Sequence, residues 1–236
     1  MPEIKRYASL VYIDQNGIKF LSEKYLLELE KCLRTDFLYF VSASYFWRFG
    51  NTDEFKMHLD IDVDNAKKAP YHFIHRNIID QLRTKLPHNT NLKLYPFSLR
   101  KGANIYGIIF GATHPRAVDK FLSIAWKYNG TNGDANFDID EDKQKSQLTI
   151  FGKRLTKIED FQQRVRNKIL QKEITNNFEL LEFTYKEGHI GTHAAECLKE
   201  MKRKGEVFYE GSSPLVTYEN VYKIKKRVDY KLTTHN

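Results

Sequence analysis

The sequence predicts an α/β domain followed by a winged helix. Residues 8–43 alternate an apolar strand, an amphipathic helix and a second apolar strand with short joints, which is typical of a βαβ unit with parallel strands. Residues 92–110 form a strand hairpin, and its second strand is nearly continuously apolar, which favours coverage on both faces. Toward the C-terminus, a helix that ends at Gly205 precedes two short strands, and this order indicates a winged helix.

The composition favours a folded protein with a basic surface. The chain has 236 residues, of which 41% are apolar, and its formal net charge is +8. It contains no run of about eighteen apolar residues, so we expect no membrane span, and its first residues lack the apolar stretch of a signal peptide. Cys32 and Cys197 lie in different halves, so neither a disulfide framework nor a cysteine metal site is expected. The predicted compartment is the cytoplasm.

The positive charge is concentrated toward the C-terminus. Residues 153–236 contain 17 Lys and Arg against 12 Asp and Glu, whereas residues 1–152 contain 21 against 18. A basic balance favours polyanionic partners, and a merely solvated basic surface is the alternative.

Apolar periodicity assigns the elements before the hairpin. In chain order they are a strand at 8–14, a helix at 18–33, a strand at 36–43, an aromatic-rich helix at 44–59 and an amphipathic helix at 70–86. The acidic run at 60–64 lacks the central Gly and the terminal Glu of a calcium loop, so we predict no calcium site there. After the hairpin, Thr113-His114-Pro115 begins a helix, with Thr113 suited to the N-cap and Pro115 to the first turn.

The order strand, helix, strand, helix, hairpin is that of the second half of a class I methyltransferase-like Rossmann sheet, in which the last strand is reversed. The run YGIIFGATHPRAVDKFLSIAWKY, with FGKRLTKIEDF after it and a later basic helix, resembles the three-Cys-motif partner protein (TcmP) family. The resemblance covers most of the chain from Tyr12 onward. It implies a methyltransferase-like Rossmann domain followed by a winged helix.

The chain departs from this family where S-adenosylmethionine would bind. Asp14 is followed by Gln15, where relatives have an Asp-Pro turn, and no Gly-rich turn follows a strand near the N-terminus. A class I methyltransferase holds its cofactor between such a turn and an acidic residue of the next strand. We therefore expect that this chain alone binds no cofactor, and that it takes up S-adenosylmethionine only if a complementing half exists.

Three residues are catalytic candidates: Asp14, Asn16 and His114. The turn that contains Asp14 and Asn16 can direct a polar group at a substrate amine, and the alternative is that Asp14 caps the following turn or helix. His114 is a candidate acid or base near the sheet, although its neighbours Thr113 and Pro115 are explained by helix capping alone. The His residues show no spacing that predicts a metal site.

The second domain begins after a polar linker. We assign residues 1–130 to the partial methyltransferase-like domain, 131–152 to the linker and 153–236 to the winged-helix domain with its basic tail. Helical periodicity at 155–170 and a strand-like run at 178–185 open this domain.

A helix at 194–204, a strand at 206–209, a turn at 210–214 and a strand at 215–218 form the predicted winged helix. Its inward residues are Ala194, Ala195, Leu198 and Met201. The candidates for the major groove are Thr192, His193 and Lys199, and the candidates for the phosphate backbone are Lys202, Arg203, Lys204, Lys225 and Arg227. Glu196 and Glu200 weaken a field for DNA, so a protein-binding winged helix or a solvated face is the alternative.

Three functions fit these patterns. The first is a nucleic-acid-associated winged helix on an incomplete methyltransferase-like sheet. The second is one half of a split S-adenosylmethionine-dependent methyltransferase, and the third is an interaction partner of a three-Cys-motif protein. Because half a sheet leaves the strand at 8–13 with an open edge, we also expect a homodimer or a partner to cover that edge.

Overall fold

The structure is a computed structural model that describes residues 7–14, 22–53, 56, 61–145 and 154–233. The chain divides into two compact units, and each is described by itself. Unit 1 comprises Met1–Phe121 and Asp134–Ile139, and unit 2 comprises Leu122–Gly133 and Asp140–Asn236.

Unit 1 is built on a mixed sheet of four strands in the order β1-β2-β4-β3. Strands β1 (Ser9–Ile13) and β2 (Thr35–Ser42) are parallel and are connected through helix α1 (Glu23–Glu30), which confirms the predicted βαβ unit. Strands β3 (Lys93–Lys101) and β4 (Asn104–Ala112) form the predicted hairpin. Strand β4 is also antiparallel to β2, so β4 alone runs against the other three strands.

The other helices of unit 1 follow the predicted order with shorter bounds. They are α2 (Ala43–Phe49), α3 (Val63–Lys68), a 3-10 turn (Tyr71–Phe73), α4 (Ile74–Thr84) and the start of α5 (Pro115–Tyr128). The sequence predicted a helix over 44–59, but α2 ends before Gly50. At Gly50 a Cβ would lie 2.6 Å from Val63 Cγ1, so the start of α3 packs directly on this backbone. Much of the predicted continuation, at 54–55 and 57–60, lies outside the described residues.

One face of the sheet packs on helices around a buried histidine. The core of unit 1 includes Phe37, Tyr39, Val41 and Ile109 of the sheet with Leu26, Leu29, Ile74, Ile78 and Leu82 of the helices. His75 lies 3.0 Å from the carbonyl oxygen of Val41 through Nε2, and 3.1 Å from Ser98 Oγ through Nδ1. A carbonyl only accepts, so Nε2 carries the proton. Burial lowers the pKa of His75 to about 4 because the charged ring would lose its hydration.

The opposite face of the sheet is covered at one end by α5. Phe121 stacks on Phe110 with ring centroids 4.3 Å apart, and Tyr95 lies beside the Phe121 ring. The apolar strand at 105–110 is therefore covered on both faces there, as its sequence predicted.

Residues 134–139 pack in unit 1, although the sequence assigned them to a linker. The N–H of Ser98 donates to Asp134 O at 2.8 Å, and the N–H of Asn136 donates to Ser98 O at 2.9 Å. Ala135 thereby forms a parallel bridge with Ser98 at the outer edge of β3. Side chains hold the segment as well, because Ala135 and Ile139 are buried and Asp134 pairs with Arg76 at 2.8 Å.

Unit 2 contains three consecutive helices and a two-stranded ribbon. After the short α6 (Asp142–Lys145) come α7 (Lys157–Leu170), α8 (Asn177–Lys186), α9 (Gly191–Arg203), β5 (Val207–Phe208), a π-helix (Glu219–Lys223) and β6 (Lys231–Leu232). Helix α7 begins with a capping box, in which Thr156 and Glu159 satisfy each other's backbone N–H groups.

Two strands predicted in unit 2 are wrong. Residues 178–185 form a helix, because Asn176 Oδ1 accepts from the N–H groups of Phe178 and Glu179 and starts α8. The predicted strand at 215–218 is absent, and β5 pairs instead with β6. Leu215 has a φ of 52°, which no regular strand accommodates.

Candidate nucleic-acid interface

Helix α9 presents one face to the core of unit 2 and another to solvent. Its buried residues include Ala194, Cys197, Leu198 and Met201, which follow the spacing of one helical face. The sequence predicted Ala194, Leu198 and Met201 correctly. Ala195, which was also expected to face inward, is only half-buried, and Cys197 is buried instead. Burial raises the pKa of the Cys197 thiol to about 11, so this residue serves packing rather than chemistry.

His193 is the main error among the predicted groove residues. It was expected to face outward, but it is 8% exposed and packs edge-on against the Trp126 ring at 4.4 Å. Its Nδ1 lies 3.0 Å from Nδ1 of His189, which is also buried. His193 occupies the third position of α9, and the sequence did not show that Trp126 covers it.

The two histidine rings are held neutral. Burial lowers the pKa of His189 to about 2 and that of His193 to about 4, and the nearby Lys157 ammonium lowers both further. Because two neutral rings share one Nδ1 hydrogen bond, one Nδ1 donates and the other accepts. The pair therefore anchors the start of α9 in the core.

Lys202 connects α9 to the ribbon. Its Nζ donates to the carbonyl oxygens of Tyr209 and Gly211, each at 2.8 Å, and lies 4.1 Å from the centroid of the Tyr209 ring. The sequence assigned Lys202 to a phosphate contact. In the structure its donors are used within the domain, so its first role is to fix the turn after β5.

The other predicted residues of α9 reach the surface. Thr192 and Lys199 are exposed. Arg203 and Lys204 are exposed as well, and both pair with Glu200. Surface pairs of this kind contribute little to stability.

The segment between β5 and β6 carries the basic residues of the tail. Lys225, Lys226 and Arg227 are exposed, and Arg227 pairs with Asp229 at 2.7 Å. Within the part of the chain that the structure describes, no carboxylate forms an ion pair with Lys199, Lys225 or Lys226. Lys226 belongs to the same basic run, which the sequence predicted to follow a phosphate strand.

The buried side chain of Asn177 holds the backbone of residues 225–227, which we call the basic segment. Its Nδ2 donates to Leu215 O at 3.2 Å and to Lys226 O at 2.9 Å, and its Oδ1 accepts from the N–H of Val228 at 2.9 Å. Two stretches of the long connection between β5 and β6 therefore meet at one amide. No local sequence pattern predicts this role.

Gly191 brings the same connection to the beginning of α9. A Cβ at this position would lie 2.0 Å from Val216 O, so only glycine permits the approach. Because Val216 adjoins Leu215, and Asn177 binds both Leu215 and Lys226, the basic segment lies beside the N-terminus of α9. We call Thr192, Lys199, Lys225 and Lys226 the interface set.

The catalytic candidates of unit 1 do not form one site. Asp14 follows β1 and stands level with Phe40 near the carboxyl end of β2, since Ile13 pairs with Tyr39. His114 lies two residues after the end of β4. Because Gly111 pairs with Phe37, His114 lies past the level of Asp36, near the amino end of β2. The separation along the strands is at least about 13 Å. Asn16 lies outside the described residues.

His114 rather than Thr113 caps α5. Its carbonyl accepts from the N–H groups of Ala117 and Val118, and its Nδ1 accepts from the N–H of Arg116 at 3.1 Å. The Thr113 hydroxyl donates instead to Leu33 O at 3.0 Å. Burial raises the pKa of the neighbouring Asp36, and His114 opposes this shift. A catalytic role for His114 or Asp14 stays a prediction.

The described residues offer neither a metal cluster nor a membrane span. No group of three or more His, Cys, Asp or Glu side chains there is placed to hold a metal ion. No helix in the same parts of the chain has the length and apolar character needed to cross a membrane.

The comparisons with known proteins agree with the architecture of unit 2. No curated protein and no solved structure matches the chain. The family model of the GMT-like wHTH domain matches residues 136–213, a stretch that includes α7, α8, α9 and β5. Unit 2 therefore contains a winged helix-turn-helix domain.

Proposed function

We propose that this protein binds nucleic acid through its winged helix-turn-helix domain, with the interface set as the contact surface. The observation that carries the proposal is the position of the basic segment beside the N-terminus of α9, which Asn177 and Gly191 enforce. Lys199, Lys225 and Lys226 supply exposed cations for phosphates, and the N-terminal N–H groups of α9 add a positive partial charge.

Thr192 has the position from which a recognition helix reads bases. In helix-turn-helix proteins the first residues of the recognition helix contact base edges in the major groove, and neighbouring cations contact the backbone. Thr192 is the exposed residue next to Gly191, so it takes the base-reading role. Lys225, Lys226 and Arg227 then hold the phosphates, and Arg203 and Lys204 extend the contact at the other end of α9.

The test is the salt dependence of binding to a labelled duplex, measured by fluorescence anisotropy. The double variant Lys225→Ala/Lys226→Ala should bind more weakly and depend less steeply on salt, because the logarithmic slope falls by about 0.9 for each phosphate that is no longer neutralised. Lys172→Ala is the control for position 225, because Lys172 is also exposed and has a φ of 60° against 57° for Lys225. A wild-type protein that binds no duplex or RNA at low salt would instead favour the protein-binding winged helix.

For unit 1 we propose the second half of a methyltransferase-like sheet of the TcmP kind. The supporting observation is the strand order β1-β2-β4-β3 with β4 alone reversed. The residues present do not fit S-adenosylmethionine. Strand β2 passes into α2 with no loop between Ser42 and Ala43, and no Gly-rich turn follows β1 in the sequence. We therefore derive no methyl-transfer step for this chain alone.

A complementing chain or a second copy would pair with the outer edge of β1. Leu10 and Tyr12 are 64% and 61% exposed on this strand, and among the described residues no strand hydrogen-bonds to its outer side. An open edge of this kind is a template for β-pairing. The candidate partners are a polypeptide that supplies the missing strands, a three-Cys-motif protein or a second copy, and the test is co-purification followed by measurement of S-adenosylmethionine binding.

A further inference from the structure

We propose that Glu196 selects cytosine in the major groove of DNA, by accepting a hydrogen bond from the N4 amino group of that base. The inference rests on the proposed function and deepens it, because it names a base that α9 reads. The contacts assigned above leave the base undetermined, since cations bind phosphates and the hydroxyl of Thr192 pairs with any base.

Glu196 lies on the exposed face of α9. The exposed residues of this face are Thr192, Glu196, Lys199 and Arg203. At about 100° of rotation per residue, these four positions fall within about 60° of one another around the helix axis. The buried side chains of α9 lie on the opposite side of the helix. Glu196 therefore shares its face with the residues of the interface set on this helix.

The rest of unit 2 occupies the two flanks of this face. On one flank Cys197 Sγ donates to Gln162 O at 3.2 Å, so α9 packs on α7 there. On the other flank Lys202 binds the carbonyl groups of the turn after β5. A duplex that enters beside Thr192 therefore meets the Glu196 carboxylate one helical turn further along α9.

No interaction within the described part of the chain explains this carboxylate. Glu196 forms neither an ion pair nor a hydrogen bond there, whereas Glu200 pairs with both Arg203 and Lys204. The residues four positions away are Thr192 and Glu200. Glu196 thus has no oppositely charged neighbour at this spacing, and the like charge of Glu200 is unfavourable there, so Glu196 does not stabilise the helix.

The cleft between α7 and α9 does not bind the carboxylate either. Glu196 borders this cleft, and Gln163 and Asn167 are among its other lining residues. Among the residues that the structure describes, neither of these amides donates to Glu196. Because Glu196 is exposed, its side chain is accessible to a duplex on the open face of α9.

A carboxylate in the major groove selects cytosine. It repels phosphates and only accepts hydrogen bonds, so its partners are the amino groups of the bases. The amino group of adenine lies beside the N7 acceptor of the same base, whereas cytosine presents its N4 donor without such an acceptor, and Glu and Asp pair with cytosine for this reason. Side chains cannot read the deep, narrow major groove of duplex RNA, so the ligand is DNA.

The spacing along α9 also locates the cytosine. Glu196 lies four residues beyond Thr192, which is about 6 Å along the helix. Base pairs are about 3.4 Å apart in DNA. The cytosine should therefore lie within about two base pairs of the base that Thr192 contacts.

The experiment selects bound duplexes from a library with a randomised centre, using the full chain at low salt. We expect the wild type to enrich cytosine at one position and Glu196→Gln to enrich adenine at the same position, because a glutamine amide pairs with N6 and N7 of adenine. Fluorescence anisotropy with two duplexes that differ only there should show a roughly tenfold preference for cytosine in the wild type, and the reverse preference in Glu196→Gln.

Glu200→Gln is the matched control. It removes the same charge from the next turn of α9, at a residue that pairs with Arg203 and Lys204. Loss of either negative charge strengthens binding to all sequences alike, so Glu196→Gln and not Glu200→Gln should change the preferred base. Circular dichroism verifies that each variant is folded.

The outcomes separate this inference from the proposed function. A wild type that binds duplexes without a preferred base, or a Glu196→Gln variant that enriches the same sequence as the wild type, would overturn the role of Glu196 and leave nucleic-acid binding intact. Equal affinity for the enriched sequence as duplex DNA and as duplex RNA would also exclude major-groove reading. A wild type that binds no duplex at low salt would overturn both.

Discussion

Asn177 and Val228 exchange two hydrogen bonds across the winged helix. The backbone N–H of Asn177 donates to Val228 O at 3.1 Å, and the N–H of Val228 donates to Asn177 Oδ1 at 2.9 Å. The remaining donors of the amide bind Leu215 O and Lys226 O. Because Asn177 is fully buried, this one side chain determines where the basic segment lies relative to the start of α8.

Asn177→Leu should destabilise unit 2 by about 3 kcal/mol, because it leaves buried backbone groups without partners. The free energy of unfolding from urea denaturation measures the effect. Asn220→Leu is the control, since Asn220 bonds at the surface to Thr217 and its replacement should cost about 0.5 kcal/mol or less. Equal destabilisation in the two variants would contradict the anchoring role of Asn177.

Gly191→Ala should weaken nucleic-acid binding, although alanine is a better helix former than glycine. The Cβ of the alanine would meet Val216 O at 2.0 Å and separate the basic segment from α9. Duplex affinity and thermal stability should both fall. In Gly130→Ala the new Cβ meets nothing closer than 3.8 Å, so this control should behave as the wild type does. Unchanged affinity in Gly191→Ala would separate the basic segment from binding.

The unfolding free energy of unit 2 should fall as the pH is lowered below about 6.5. In the unfolded chain His189 and His193 take up a proton near their ordinary pKa of 6.5, whereas the folded rings have pKa values of about 2 and about 4. Stability is therefore complete above the unfolded pKa and declines as the pH falls toward the folded values. The decrease at about pH 5 is about 2 kcal/mol for each ring.

Urea denaturation at a series of pH values measures this decrease, with far-ultraviolet circular dichroism as the signal. His193→Gln keeps a polar side chain and removes one titrating site, so its stability should depend less steeply on pH than that of the wild type. His88→Gln is the control, because His88 is exposed. If the urea midpoint of the wild type does not change as the pH is lowered from about 6.5 to about 5, the assignment of two neutral buried rings is wrong.

Leu10→Lys should convert a homodimer into a monomer if a second copy covers β1. The substitution places a charge on the exposed apolar side of the edge strand, which disfavours edge-to-edge pairing. Light scattering after size exclusion gives the mass at several protein concentrations. Leu33→Lys, which lies between α1 and β2 and is 70% exposed, should leave the mass unchanged. A wild-type monomer at every concentration would exclude the second copy and leave a different partner for this edge.

Local patterns predicted the elements that depend on residues near each other in the chain. The parallel pair β1 and β2, the hairpin of β3 and β4 and the inward stripe of Ala194, Leu198 and Met201 follow from apolar periodicity and turn chemistry, so the sequence contained them. The run at 178–185 was misassigned because its apolar and aromatic residues also suit a strand, whereas the side chain of Asn176 caps it as a helix.

The sequence by itself indicated the winged helix through the periodicity of α9 and the strand that follows Gly205, although it misassigned the helix at 178–185 and the strand at 215–218. Only the tertiary structure decided which residues of that domain face a ligand. Trp126 covers His193, Tyr209 and Gly211 engage Lys202, and Asn177 brings Lys226 beside the N-terminus of α9. It also placed Asp14 and His114 at opposite ends of the sheet. These outcomes depend on contacts between residues far apart in the chain, and short-range spacing carries no information about such contacts.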